Sequence, residues 1–133
     1  MASGGNTRYQ FRYGHEPGVC VYEGYVTFSS TVAGTAYVKG CSSTLTLVST
    51  GAFYLTLNRP AQALRSFQGQ HYASAGAVSF IQPYGTPATL ATALKTGTIG
   101  FIMRHEDGTE TAPVANDNVW LHFTVGTSAA GAR

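Results

Sequence analysis

Six carboxylates, four histidines and two cysteines are the side chains of this 133-residue chain on which any chemistry would have to draw. The acids are Glu16, Glu23, Glu106, Asp107, Glu110 and Asp117. Glycoside hydrolysis needs two carboxyl groups held about 5–10 Å apart across a cleft. Glu106, Asp107 and Glu110 instead crowd around one Asp107-Gly108 turn, which predicts a solvated tip. Glu23 interrupts a strand pattern, and an outward polar position accounts for it. The histidines His15, His71, His105 and His122 show no HxH or HExxH spacing, and nothing in the sequence pairs one of them with an acid. His105 with Asp107 could contribute to a cation site, but the solvated tip explains both. His122 shares a face with Trp120 and reads as a sheet-surface or interface pair rather than a base. Lys95-Thr96-Gly97 spells KTG, yet no serine lies three residues before either lysine, so the SxxK partner is missing. No GxSxG, P-loop or dinucleotide fingerprint occurs, and a triad assembled in space leaves no sequence mark. Cys20 and Cys41 match no metal or redox spacing and are expected as buried free thiols. The expectation is a non-enzyme with no catalytic residue, metal or cofactor.

The elements that position these groups are strands. Thr44–Leu57 alternates on both arms, with Leu45, Leu47, Phe53, Leu55 and Leu57 on one face and Thr44, Thr46, Tyr54 and Thr56 on the other. Ser49, Thr50 and Gly51 suit a three-residue loop with Gly51 left-handed next to a bulge. Pairing Val48 with Ala52 then sets Leu47 opposite Phe53 and Leu45 opposite Leu55. A hairpin cannot bury that face alone, so a second layer of sheet must cover it. Val19–Ser29 (one strand, or two broken at Gly24), Ala36–Cys41, Ala63–Gln68, Ala77–Gln82, Thr98–Arg104 and Val119–Val125 read as further strands. In the last, Val119, Leu121, Phe123 and Val125 oppose Trp120, His122 and Thr124. Residues 83–97 read as a long loop in which Ala88–Leu94 could form a helical turn. The pattern predicts an all-β domain, a jelly-roll-like β-sandwich with no major helix.

Residues 1–18 read as an N-terminal arm and hinge, 19–126 as the sandwich and 127–133 as a flexible tail. Arg8–Tyr13 alternates, with Tyr9, Phe11 and Tyr13 against Arg8, Gln10 and Arg12, before Gly14–Gly18 breaks the pattern. It is either an arm packing on a neighbour or a first strand packing on its own core. Charged residues make up 11% of the chain, against about 25% in a typical domain, and only Lys39 and Lys95 are lysines. Such a surface suits coverage by sister subunits or a larger assembly, the alternative being a monomer with a weakly charged Ser/Thr surface. A net charge of +2 with scattered arginines argues against a nucleic-acid partner. No apolar run approaches the ~20 residues that span a bilayer, and Met1–Gly5 leads into polar residues with no apolar signal segment. Synthesis in the cytoplasm, without a membrane partner, is expected.

Three stretches, LTLVSTGAFYLTLNRP, SFIQPYG and TGTIGFIMRHEDGTETAPVANDNVWLHFTVGTS, together resemble small β-rich virion proteins of tailed bacteriophages, chiefly head decoration (cement) proteins and related fibre or tail-tip domains. Gly51–Leu57, Gly97–Phe101 and Asp117–Thr127 carry the resemblance, within stretches that cover roughly half the chain. The chain departs from it in reading TIGF where TGF is more usual, and in its tyrosine-rich arm. The resemblance implies a non-enzymatic virion protein, made in the host cytoplasm, that clips onto the major capsid protein of an assembled phage shell, often as a homotrimer. Arg8, Tyr9, Phe11, Arg12 and Tyr13 are the first candidate assembly surface, and Trp120 with His122 the second. The alternative is a fibre or tail-tip module that recognises a host glycan or protein, with Tyr72 and Tyr84 as loop tyrosines able to stack on sugars.

Overall fold

The computed structural model describes the backbone of residues 14–16 and all of residues 18–74 and 79–127. The candidate arm residues Arg8, Tyr9, Phe11, Arg12 and Tyr13 lie outside these described residues. The chain runs through β1 (Gly14–Glu16), β2 (Val19–Phe28), β3 (Gly34–Val38), β4 (Cys41–Ser49), β5 (Ala52–Leu57), β6 (Ala63–Tyr72), β7 (Phe80–Pro83), α1 (Pro87–Lys95), β8 (Thr98–Arg104) and β9 (Asn118–Gly126). The strands form one antiparallel sheet in the order β6-β9-β2-β3-β4-β5-β8-β7, with β1 on the free part of β2. The architecture is all-β with no major helix, as the strand patterns predict, and its one sheet curls until β6 and β7 touch.

Period-two alternation sends one face of each strand inward. Val119, Leu121, Phe123 and Val125 of β9 have no exposed surface, and Cys20, Tyr22, Val26 and Phe28 of β2 lie beside them. Tyr22 stacks on Phe123 at 5.0 Å, and Phe123 on Phe67 of β6 at 6.0 Å. Phe28 meets Phe53 of β5 at 5.0 Å, joining two walls through the interior. The buried Tyr22 hydroxyl donates to Asn58 Oδ1 at 2.9 Å, which satisfies its polar end.

The β4–β5 hairpin keeps the expected pairs Leu45↔Leu55 and Leu47↔Phe53. Its tip differs: Ser49, not Val48, pairs with Ala52, and Val48 falls at a register shift. The extra residue lets Gly51 take φ +74, where a side chain would strike the Thr111 carbonyl. Leu47, expected on the buried face, is 42% exposed beside the hairpin tip.

Gly14–Glu16 pair with Val19–Val21, and Gly18 takes φ +80. One other expectation needs correction. Part of the 83–97 loop is a nine-residue helix, α1. Thr86 caps it in a reciprocal box with Thr89, Pro87 starts it, and Leu90 and Leu94 are its buried residues. It packs against β6 and β8, and its Leu94 carbonyl accepts from Ala61 N–H at 2.8 Å. The KTG residues are its C-terminal turn, with Gly97 at φ +84.

No backbone ladder pairs β6 with β7, and the seam between them is closed by side chains. Ile81 of β7 lies on Gly69 of β6, where an added Cβ would come within 2.6 Å of Ile81 Cγ2. Gly69→Ala should therefore cost about 1–3 kcal/mol through overpacking. In urea denaturation, Gly69→Ala with Ile81→Ala should lose less than the two single losses summed. Additive losses would mean that Ile81 does not seat on Gly69.

Candidate functional site

The antiparallel register gives the barrel two unlike ends. Helix α1 and residues 58–62 lie at the end where β5 and β9 finish. The opposite end carries the β2–β3, β4–β5 and β8–β9 connections and the segment between β6 and β7. Six of the large apolar side chains that remain exposed are placed there: Val32, Leu47, Val48, Tyr72, Phe80 and Val114. Phe80, 60% exposed, starts β7 opposite Arg104, and Tyr72 ends β6 opposite Asn118. The acidic turn is at this end too. Glu106, Asp107 and Glu110 are exposed, and the hydroxyl (2.7 Å) and N–H (3.0 Å) of Thr109 hold the Asp107 carboxyl below the usual range. No group of three metal-ligating side chains occurs among the described residues.

A polar cluster that sequence reasoning missed lies beneath this end. His71, near the end of β6, sets Nε2 2.9 Å from Asp117 Oδ2, although 46 positions separate them. The fold thus makes a histidine–acid pair that nothing in the sequence indicates. Ser79 N–H donates to His71 Nδ1 at 3.0 Å, and the Ser79 hydroxyl lies 3.0 Å from the same nitrogen. Since a backbone N–H can only donate, Nδ1 accepts and the ring proton sits on Nε2, directed at Asp117. Ser74 donates its N–H (2.8 Å) and hydroxyl (2.9 Å) to Asp117 Oδ1, and Val114 N–H donates to Oδ2 at 3.1 Å. Burial alone would raise the Asp117 carboxyl, but these hydrogen bonds outweigh it and hold the group below its ordinary value.

Serine, histidine and aspartate in contact invite comparison with a nucleophilic triad. Here the lone pair that would take the serine proton already accepts a backbone N–H. None of the three residues is more than 6% exposed, so the Ser79 hydroxyl is shut off from solvent. The arrangement can hold the β6–β7 segment and the approach to β9 together across the seam. A periodicity argument cannot find it, because its members fall in three separate segments.

The second candidate surface is on the flank. Trp120 and His122 point outward from β9, their rings stacked at 6.0 Å. Trp120 lies opposite Tyr25 and His122 opposite Glu23 on β2, and Tyr25 lies opposite Tyr37 on β3. The Tyr25 and Tyr37 rings are 5.2 Å apart. Tyr72 and Tyr84 do not reproduce this: Tyr84 is half-buried in a cleft with Tyr54, Gln82 and Arg104, whose lining does not include Tyr72. In that cleft Arg104 is engaged, donating to the Gly108 carbonyl at 2.9 Å. Cys20 is buried and Cys41 partly so, both as free thiols. Burial, with Cys20 nearby adding to it, pushes the Cys41 thiol up to about 12.

No family model, curated protein or solved structure matches the chain.

Two outcomes follow from these geometries. Asp117→Asn keeps the shape but turns an amide N–H toward donors, and should lower unfolding stability by about 1–3 kcal/mol at neutral pH. A depressed folded-state pKa adds stability above the unfolded value of about 3.9 and loses it as pH falls through the folded value. The gap between wild type and variant should therefore shrink below about pH 4; a gap independent of pH would deny the carboxylate its role. Separately, neither thiol should react with an aromatic disulfide at pH 8 until denaturant is added, and rapid modification of the native protein would contradict the burial of Cys20 and the raised Cys41 pKa.

Proposed function

We propose that the chain is a structural virion protein that decorates an assembled bacteriophage head, docking onto the major capsid protein and stabilising the lattice. The observation that carries this reading is the gathering of exposed apolar side chains at one end of a weakly charged barrel. A lone soluble domain rarely concentrates such residues, whereas an assembling one needs them. The resemblance of the hairpin, Gly97–Phe101 and β9 to decoration proteins points the same way. Many copies on a lattice, each making modest contacts, would hold by avidity rather than by one very tight site. The basic and aromatic residues Arg8, Tyr9, Phe11, Arg12 and Tyr13 would supply a second anchorage to the shell, and self-association into a trimer would match lattice symmetry. The buried Ser79–His71–Asp117 cluster serves in this reading as a brace for the docking end, not as a catalyst.

The test is co-sedimentation of the purified chain with heads that lack it. Wild type should occupy the shell to a fixed stoichiometry. Phe80→Asp with Leu47→Asp should reduce occupancy at least tenfold without changing the melting temperature, as should removal of residues 1–13, which leaves β1 intact. Undiminished occupancy in both variants, or no binding by wild type, would overturn the proposal.

A further inference from the structure

The outer face of the wall formed by β5, β8 and β7 carries a cleft that docking by the apolar end does not use. It holds about 620 Å³, within the ~300–1,000 Å³ usual for small-ligand sites. Gly100 makes the room, since a Cβ there would come within 2.5 Å of Tyr54 Cε1 and 3.1 Å of Tyr84 Cβ. Tyr54 stands opposite Gly100 on β5, and the Tyr84 N–H donates to the Gly100 carbonyl at 2.9 Å. Two half-buried tyrosines therefore close on one bare stretch of β8, beside the buried Ile102. Among the described residues that line the cleft, Arg104 is the one that carries a charge, and Gln82 adds an amide. The start of α1 borders it too, but Thr86 and Thr89 spend their groups on each other.

We propose that this cleft binds a small aromatic carboxylate. Arg104 Nη1 donates to the Gly108 carbonyl at 2.9 Å, which restrains the side chain while using one of its five N–H groups. Glu110 stands opposite Arg104 across an isolated bridge, yet the two form no ion pair. The Nε–Nη2 edge of the guanidinium is thus left for a ligand, and that fork matches the two oxygens of a carboxylate. A phosphate fits less well. It brings more negative charge to a site with one cation, beside a turn that already holds Glu106, Asp107 and Glu110. The tyrosines call for a flat ring in the body of the ligand, which can stack on them or meet them edge to face. This site does not rest on the shell-docking reading.

The test is an NMR titration of the full chain with benzoate and 4-hydroxybenzoate, following the backbone amides of Gly85 and Gly100. Benzamide supplies the ring without the charge, acetate the charge without the ring, and phenyl phosphate the rival anion. An aromatic carboxylate should give saturable shifts at roughly millimolar concentration or below. Arg104→Gln should weaken binding about tenfold, and Tyr84→Leu about threefold. Glu110→Gln should tighten it about twofold by removing a nearby like charge. The last two variants leave the Arg104–Gly108 contact in place, so charge and ring are each tested even if Arg104→Gln loosens the turn. No saturable shift, benzamide or acetate binding as tightly as benzoate, tighter binding of phenyl phosphate, or affinity unmoved by Tyr84→Leu and Glu110→Gln would each overturn the proposal.

Discussion

The barrel depends on how its seam is closed. Eight strands curl far enough to bring β6 beside β7, yet the two edges share no ladder of backbone hydrogen bonds. Side chains do the joining. Ile81 seats on Gly69 along the strands, and His71 reaches across to accept the Ser79 N–H that would otherwise be buried unpaired. Asp117 makes that reach durable, because it fixes the imidazole tautomer while also holding Ser74 and Val114. One carboxylate thereby ties the end of β6, the approach to β7 and the start of β9 together. Leaving a buried donor unmet costs more than a typical hydrogen bond gains, so the network resists partial loss.

Much of the framework was legible because it rests on period two. Strand β9 could be read almost residue by residue, since Val119, Leu121, Phe123 and Val125 alternate with outward residues and no other spacing competes. The hairpin pairs Leu45↔Leu55 and Leu47↔Phe53 were legible for the same reason. At the tip the left-handed Gly51 beside a bulge was legible too, but the pairing of Ser49 rather than Val48 with Ala52 was not, because Ser49-Thr50-Gly51 reads as a three-residue loop. Helix α1 hid among threonines and alanines, with two buried leucines as its apolar signal. Leu47 follows the alternation of its strand yet lies at the hairpin tip, where the interior opens, and period two alone does not mark where a strand leaves the core.

The candidate sites divide along the same line. Trp120 and His122 sit on the outer face, as alternation requires, but the tyrosines that complete their strip come from β2 and β3, and only the sheet order reveals them. The Ser79–His71–Asp117 cluster left no trace in the sequence, because each residue sits alone in its own segment. The apolar end is equally a product of topology. Val32, Leu47, Phe80 and Val114 are far apart along the chain and meet only because antiparallel strands deliver their connections to a common rim.

The position of β9 has a consequence for biogenesis. This strand lies between β6 and β2, pairing Val19 with Gly126 and Tyr72 with Asn118. While a ribosome is still translating the middle of the chain, β2 has β1 and β3 for company, but β6 has no backbone partner at all. The nascent polypeptide therefore cannot complete its interior until residue 126 has left the exit tunnel. Pairing between segments so distant in the chain makes for slow folding and leaves apolar edges of the growing chain uncovered until then.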